Sequence, residues 1–302
     1  MAALVTPKFL SPRDLALAVG ASESSLKRWI DDGRVRVLRT AGGHRRIPLA
    51  EAVRFIRKYH HQVLRPDLLG IPADAHGPDP HGADRLLRAL TAGDAPAVHA
   101  LLANAYLARG SVAELADAMI CPALCQLGEP WSDADDGIVI EHQSIDVLLQ
   151  VVPRLRALIA PPNPDAPLAL GGAPSGDPYL LPSQLAALVL ADAGLRTVNL
   201  GPDTPCSTFS CAIGRHQPRL VWLACSSESA AAQIAPRLPD LAAGLASSGV
   251  RFVLGGRAMP ATPPGIERVA TFAALADLGR DLIQASGSRD RLDEPERDPG
   301  PG

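Results

Sequence analysis

The chain has 302 residues, of which 47% are hydrophobic, and a formal net charge of −3. This length exceeds that of one compact domain, and the hydrophobic fraction is typical of globular proteins. No run approaches the roughly 18 apolar residues of a membrane helix, and the first residues lack the apolar core of a secretory signal. We therefore expect a cytoplasmic protein without a membrane segment.

The five cysteines form an odd set without a CxxC pair. This pattern argues against a disulfide framework and for a reducing compartment. Cys121 and Cys125 would share a helix face and could bind a metal, but small buried side chains are the interpretation that we favour. No metal site is predicted.

Charge is distributed unevenly along the chain. Up to Arg65 there are 13 Lys and Arg against 5 Asp and Glu, whereas the remainder has 16 against 27. A basic segment of this kind is typical of proteins that bind a polyanion.

Composition also predicts the domain boundaries. Proline and glycine cluster in two segments, which predicts linkers, and the charged, proline-rich end predicts a disordered tail. The predicted parts are a basic domain (1–65), a linker (66–82), a helical domain (83–159), a linker (160–167), an α/β domain (168–285) and the tail (286–302).

The basic domain begins with signals for two short helices. Ser11 before Pro12 is a favourable N-cap, with Asp14 as the acid of a capping box, and Ser22 or Ser24 caps a second helix. Two helices joined by a tight turn are typical of a helix-turn-helix. Val35, Val37 and Ile47 then suit short strands around a hairpin at residues 41–43, and a third helix is expected over residues 49–59.

The sequence AGGHRRIP in this hairpin resembles the wing of MerR and excisionase DNA-binding domains. The resemblance implies a winged helix-turn-helix that binds double-stranded DNA, with the second helix in the major groove and the wing against phosphates or the minor groove. The residues implied to contact DNA are Ser24, Ser25, Lys27, Arg28, Arg39, Thr40, His44, Arg45 and Arg46.

Apolar residues at helical spacing predict a four-helix bundle over 83–92, 95–108, 112–128 and 137–159. Trp131 is expected in a loop, followed ten residues later by Glu141 and His142. This pattern resembles the helical bundle of CarH-type light-sensing MerR regulators, in which these positions cover the upper face of adenosylcobalamin. An indole can cover a planar ring, and an acid and an imidazole can bond its substituents. A buried Trp with a core His and a surface Glu is the alternative.

From Pro167 onward short buried strands alternate with helices, which predicts a flavodoxin-like, doubly wound parallel sheet. Ligands bind such sheets at the carboxyl ends of the strands, here near 173–179, 201–204, 225–228 and 255–256. The segment resembles cobalamin-binding domains, with Asp177 at the acidic position of their DxHxxG motif and Gly255 and Gly256 at their glycine pair.

The chain departs from that family at the ligand positions. Tyr179 stands where a histidine binds cobalt, Pro182 where a glycine follows, and Ser132 where a second histidine follows the tryptophan. Ser226 and Ser227 are the candidates for the family's SxL serine. A phenol is a poor metal ligand unless it is deprotonated. We therefore expect cobalamin held base-on or without a protein ligand, another tetrapyrrole or planar ligand, or an empty cavity.

Three hypotheses follow. The first is a transcriptional regulator that binds a palindromic operator as a dimer or higher oligomer, with cobalamin or another tetrapyrrole changing its oligomeric state and light as a candidate trigger. The second is a ligand-independent DNA-binding scaffold whose degenerate module binds itself or partner proteins. A cobalamin enzyme is the least favoured, since no catalytic constellation or substrate barrel is visible, and we predict no enzymatic activity. A G-x-G-x-x-G fingerprint is also absent.

Overall fold

The computed structural model describes residues 9–72, 82–108, 110–128 and 135–292. The chain divides into two compact units, up to Pro161 and from Pro162 onward. The segments predicted as a basic domain and a helical domain both belong to the first unit. Within the described ranges, no helix is both long enough and apolar enough to cross a bilayer.

The first unit begins with three helices and a small antiparallel sheet in the strand order β1-β3-β2. Its elements are β1 (Phe9–Leu10), α1 (Pro12–Ala18), α2 (Glu23–Asp31), β2 (Leu38–Arg39), β3 (Arg45–Pro48) and α3 (Leu49–Tyr59). Each of the three helices buries one apolar face, and Leu15, Leu26 and Phe55 are fully buried.

Local capping determines where these helices begin. Ser11 caps α1 in the predicted capping box with Asp14, and Ser22 caps α2 by accepting a bond from the Ser25 amide. The bounds of α3 match the prediction. Val35 and Val37 do not lie in a strand as expected, because the Val35 amide still bonds to Trp29 in the turn that ends α2.

The rest of the first unit is helical. After a 3₁₀ turn (Pro66–Leu69) come α4 (Gly82–Thr91), α5 (Ala95–Leu107), α6 (Val112–Leu115), a π-helical turn (Ala116–Ile120), α7 (Cys121–Gly128) and α8 (Asp135–Arg156). The third predicted helix is therefore interrupted by a π-helical turn. Helix α8 ends at Arg156, three residues before the predicted end of the fourth helix.

An arginine links α3 to α5 within this unit. The Arg57 guanidinium lies 3.8 Å from the centroid of the Tyr106 ring, and its Nη1 donates a 2.9 Å hydrogen bond to the Tyr106 carbonyl oxygen. A cation over an aromatic face is attracted by the ring quadrupole. Packing of α3 on α5 through this contact explains why the basic and helical segments form one unit.

The second unit contains a five-stranded parallel sheet in the order β5-β4-β6-β7-β8. Its strands are β4 (Leu168–Gly172), β5 (Arg196–Asn199), β6 (Leu220–Ala224), β7 (Arg251–Gly255) and β8 (Glu267–Arg268). The helices that alternate with them are α9 (Leu180–Asp192), α10 (Cys206–His216), α11 (Glu228–Ile234), α12 (Leu238–Ser247) and α13 (Phe272–Leu292). The predicted doubly wound parallel sheet is confirmed.

One detail of the second unit differs from the prediction. Helix α13 continues to Leu292, seven residues into the segment predicted as a disordered tail. This helix already packs against α9, and extending an existing helix costs far less than starting one. Residues 293–302 lie outside the described ranges.

A buried histidine makes the stability of the first unit depend on pH. His99 in α5 is 6% exposed, and its Nε2 atom has no hydrogen-bond partner. Burial, together with the charge of Arg154, lowers its pKa to about 4. The unfolded chain protonates this imidazole near pH 6.5, so the folded state loses stability as the pH falls from about 6.5 towards 4.

We expect His99→Leu to remove this pH dependence. For the wild type, the free energy of unfolding should fall by about 3 kcal/mol as the pH falls from about 6.5 to about 4. Each unit by which folding lowers the pKa corresponds to about 1.4 kcal/mol. Urea unfolding across this pH range measures the effect, with His44→Asn as the control for an exposed histidine. Equal pH slopes in wild type and His99→Leu would contradict the assignment.

Candidate functional site

A basic surface covers α2 and the hairpin of β2 and β3. One side of α2, which includes Leu26 and Ile30, is buried in the core. Lys27 and Arg28 lie on the other side and are exposed. The remaining predicted DNA-contacting residues lie on the same helix or on the hairpin. Ser24, Arg39, Thr40, His44 and Arg46 are exposed, and Ser25 and Arg45 are half-buried.

Two carboxylates that pair with arginines hold this basic surface in place. Arg45 Nη2 lies 2.9 Å from Asp31 Oδ1 and thereby ties the hairpin to the end of α2. Glu51 is buried on α3 and accepts hydrogen bonds from Arg54 Nε (2.8 Å) and from the amide of Arg36 (2.8 Å). Burial alone would raise the pKa of Glu51, but these bonds and the two guanidinium charges lower it overall.

The predicted cofactor-binding residues of the first unit lie on α8, except for Trp131, which is outside the described residues. Glu141 and His142 are exposed near the start of this helix. Ile138 and Val139 beside them are also exposed, by 46% and 61%. Sequence reasoning missed this apolar pair, although apolar residues directly before Glu141 and His142 were a visible signal.

In the second unit, Asp177 joins the loop after β4 to the loop after β6. The carboxylate is fully buried and accepts hydrogen bonds from the backbone amides of Ser226, Ser227 (3.1 Å) and Tyr179 (3.1 Å). Its own carbonyl oxygen accepts a bond from the Asp203 amide (2.8 Å) in the loop after β5. Charge-assisted bonds of this kind are stronger than neutral ones, so Asp177 fixes the geometry of this edge.

The predicted serines and glycines complete the same edge. Ser227 caps α11 by accepting a bond from the Ala230 amide. Gly256 has φ +113°, and a Cβ there would overlap the backbone of Cys225, so only glycine fits. The sequence-predicted residues Asp177, Ser226, Ser227, Gly255 and Gly256 are therefore brought together, chiefly by backbone packing and hydrogen bonding.

This edge has few side chains that could bind the cobalt of a corrinoid. Tyr179, at the predicted ligand position, is 45% exposed and precedes α9. The four edge loops (173–179, 200–205, 225–229 and 255–260) contain no histidine. Burial raises the pKa of the Cys225 thiol to about 11, so it stays protonated. These loops therefore offer no imidazole or thiolate to cobalt, and a corrinoid at this edge would have to bring its own lower base.

No protein-family profile and no curated protein matches this chain. Among solved structures, the monomethylamine corrinoid protein of Methanosarcina barkeri is similar over 67% of this chain and 99% of its own, with 15% identity and a TM-score of 0.53. The chain shares the fold of that corrinoid protein. At this identity the similarity concerns fold alone.

Two further structures match at lower TM-scores. The methanol:cobalamin methyltransferase complex of M. barkeri matches 89% of this chain and 97% of its own, with 15% identity and a TM-score of 0.35. A cobalamin-binding protein from Desulfitobacterium hafniense DCB-2 matches 66% of this chain and 97% of its own, with 14% identity and a TM-score of 0.34.

The Asp177 bridge predicts a measurable loss of stability. In Asp177→Asn the size is preserved, but the charge and one acceptor oxygen are lost, and we expect about 2 kcal/mol of destabilisation. Asp203→Asn is the matched control, because this exposed carboxylate accepts one bond, from the Gly176 amide (2.8 Å), and should cost less than about 1 kcal/mol. Urea unfolding measures both, and equal losses would mean that burial adds nothing to the bridge.

Proposed function

We propose that this chain is a DNA-binding transcriptional regulator of MerR type whose C-terminal part senses cobalamin or another tetrapyrrole. The observation that carries the proposal is the exposed basic surface on α2 and the adjoining hairpin. Helix α2 follows α1 after a short turn, and the hairpin then leads into α3. In winged helix-turn-helix proteins, a recognition helix enters the major groove and a basic hairpin, the wing, contacts the DNA beside it. A helix followed by a basic hairpin is consistent with this arrangement.

The charges of this surface support a nucleic-acid partner more than an intramolecular role. Asp31 is paired with Arg45, but Lys27, Arg28, Arg39, Arg46 and the hairpin tip are exposed to solvent. Phosphate contacts set register and affinity, whereas base contacts give specificity. We assign Lys27 and Arg28 to the major groove, and Arg39, His44 and Arg46 to the phosphates or the adjacent minor groove.

Alanine variants of this surface test DNA binding. We expect Lys27→Ala and Arg46→Ala to weaken binding of a fluorescently labelled duplex of mixed sequence. Loss of a phosphate contact in Arg46→Ala should also make the plot of log affinity against log salt shallower by about 1. Fluorescence anisotropy at several salt concentrations measures both quantities.

Lys58→Ala is the matched control, because Lys58 is an exposed lysine on α3, outside the proposed surface. If all three variants retain the affinity and salt slope of the wild type, DNA does not bind here. Selection of sites from a random duplex library then tests whether the preferred operator is palindromic, as a symmetric dimer requires.

The sensor part of the proposal rests on the corrinoid-protein fold and on the exposed cluster Ile138, Val139, Glu141 and His142 on α8. An exposed apolar pair beside an acid and an imidazole can cover a planar ligand and bond its polar substituents. A bound corrinoid would supply a cobalt centre and, in an adenosyl form, a light-sensitive cobalt–carbon bond. The proposal assigns no enzymatic activity to the chain.

Ligand uptake distinguishes the sensor from a second candidate, a ligand-independent DNA-binding scaffold. The absence of histidine from the four edge loops favours that candidate. The full chain is incubated with adenosylcobalamin, hydroxocobalamin, haem or biliverdin, desalted, and examined by absorption and light scattering. For a sensor we expect a retained chromophore, weakened in Trp131→Ala and Glu141→Ala, and a ligand-dependent change of mass. A colourless protein that still binds DNA supports the scaffold.

A further inference from the structure

The centre of the parallel sheet holds the indole of Trp222. This residue lies in the middle of β6, is 2% exposed, and is paired in register with Gly171 of β4. A Cβ on Gly171 would overlap the Trp222 ring. The indole therefore lies directly on the β4 backbone. It occupies the space that the side chain of any residue other than glycine would need at position 171.

The indole faces α9 and not the opposite side of the sheet. Its Nε1 donates a 3.4 Å hydrogen bond to the hydroxyl of Ser183, which is fully buried on α9. Neighbouring strand residues point the other way, because side chains alternate along a strand. Val221 and Leu223 belong to the apolar cluster that includes Phe209 and Leu254. Trp222 thus fills the layer between β4, β6 and α9.

This filled layer lies immediately beneath the ligand-facing edge. Trp222 is two residues from the end of β6, a distance of about 7 Å along a strand. The Ser183 hydroxyl also donates a 2.7 Å bond to Asn199 Oδ1, which accepts a 3.0 Å bond from the amide of Gly201 in an edge loop. The indole is therefore connected to the edge through Ser183 and Asn199.

The shape of this side chain has a chemical counterpart in cobalamin. Indole and benzimidazole are both fused six- and five-membered rings of nearly equal area. In cobalamin the benzimidazole base either stays on cobalt or leaves it, and once it has left it needs an apolar slot of this size. Close-packed interiors contain few voids larger than a water molecule, so a filled slot excludes a second ring.

We infer that Trp222 takes the room beneath the edge that a released benzimidazole base would need. The unit consequently selects corrinoids whose base stays on cobalt, or tetrapyrroles without a nucleotide tail. The ligand preference rests on the proposed sensor function, whereas the filling of the slot does not. Trp222 is therefore a specificity-determining residue that acts by exclusion, not by contact with cobalt.

Removal of the indole tests the shape of the slot without any cobalamin. We expect Trp222→Gly to leave a closed cavity, lined mainly by apolar groups, that binds free 5,6-dimethylbenzimidazole, as engineered cavities bind small aromatic molecules. At about ten times its dissociation constant, the ligand should raise the ratio of folded to unfolded protein about tenfold. Thermal unfolding measures this shift, and the wild type should show none.

Trp29→Gly is the matched control for loss of an indole. Trp29 is half-buried against Phe55 and His61 in the first unit, so its removal opens a surface hollow and not a closed slot. We expect a much smaller shift there. A folded Trp222→Gly protein that gains no stability from dimethylbenzimidazole, or gains no more than Trp29→Gly, overturns the inference.

The wild type gives a second test that does not depend on the folding of a variant. Full-length protein loaded with hydroxocobalamin and reduced to the cobalt(II) form is examined by electron paramagnetic resonance. In protein labelled uniformly with 15N, a benzimidazole 14N on cobalt splits the signal into triplets and a histidine 15N splits it into doublets, and we expect triplets in the bound state. Their loss on binding overturns the inference. If the wild type takes up no cobalamin, the cobalamin sensor proposal fails, and the Trp222→Gly experiment still decides the inference.

Discussion

The contact of the Trp222 indole with Gly171 determines how the centre of the parallel sheet in the second unit is packed. A large aromatic side chain in a central strand requires a neighbour without a side chain, and Gly171 on β4 meets this requirement. The indole N–H then needs a partner, because an unpaired donor in the interior is costly, and Ser183 provides it. Ser183 in turn bonds Asn199, which holds the loop at Gly201. The core packing of this unit and the shape of its edge are thus one connected arrangement.

Asp177 illustrates how the same sequence position can have a different use from the one its motif implies. The resemblance to cobalamin-binding domains suggested a residue that faces a ligand. The structure instead buries its carboxylate and directs it at backbone amides of Ser226 and Ser227. Because the Asp177 carboxylate accepts three hydrogen bonds from backbone amides, its role is structural. Tyr179, by contrast, is exposed at this edge.

In the first unit, arginines divide into structural and available groups. Arg54 pairs with the buried Glu51, and Arg57 packs on Tyr106. These contacts stabilise α3 and join it to α5. Lys27 and Arg46 remain exposed and make the basic surface. The interface proposed for DNA is therefore smaller than the count of basic residues in this segment suggests.

Sequence alone determined those features that depend on neighbours a few residues away. Ser11 and Asp14 define the start of α1, the Gly42-containing hairpin lies where the turn residues placed it, and alternation of short apolar strands with helices gave the parallel sheet. Capping and periodicity act within one or two turns of chain, so a linear pattern records them.

Only the tertiary structure decided the roles of Trp222, Asp177 and Arg57. Their partners lie 39 residues away at Ser183, 49 at Ser226 and 49 at Tyr106. Whether a side chain of this kind faces solvent, a ligand or another residue depends on which distant segments fold against it. A buried charge or indole is tolerated only where those segments supply its hydrogen bonds, and no local pattern contains that information.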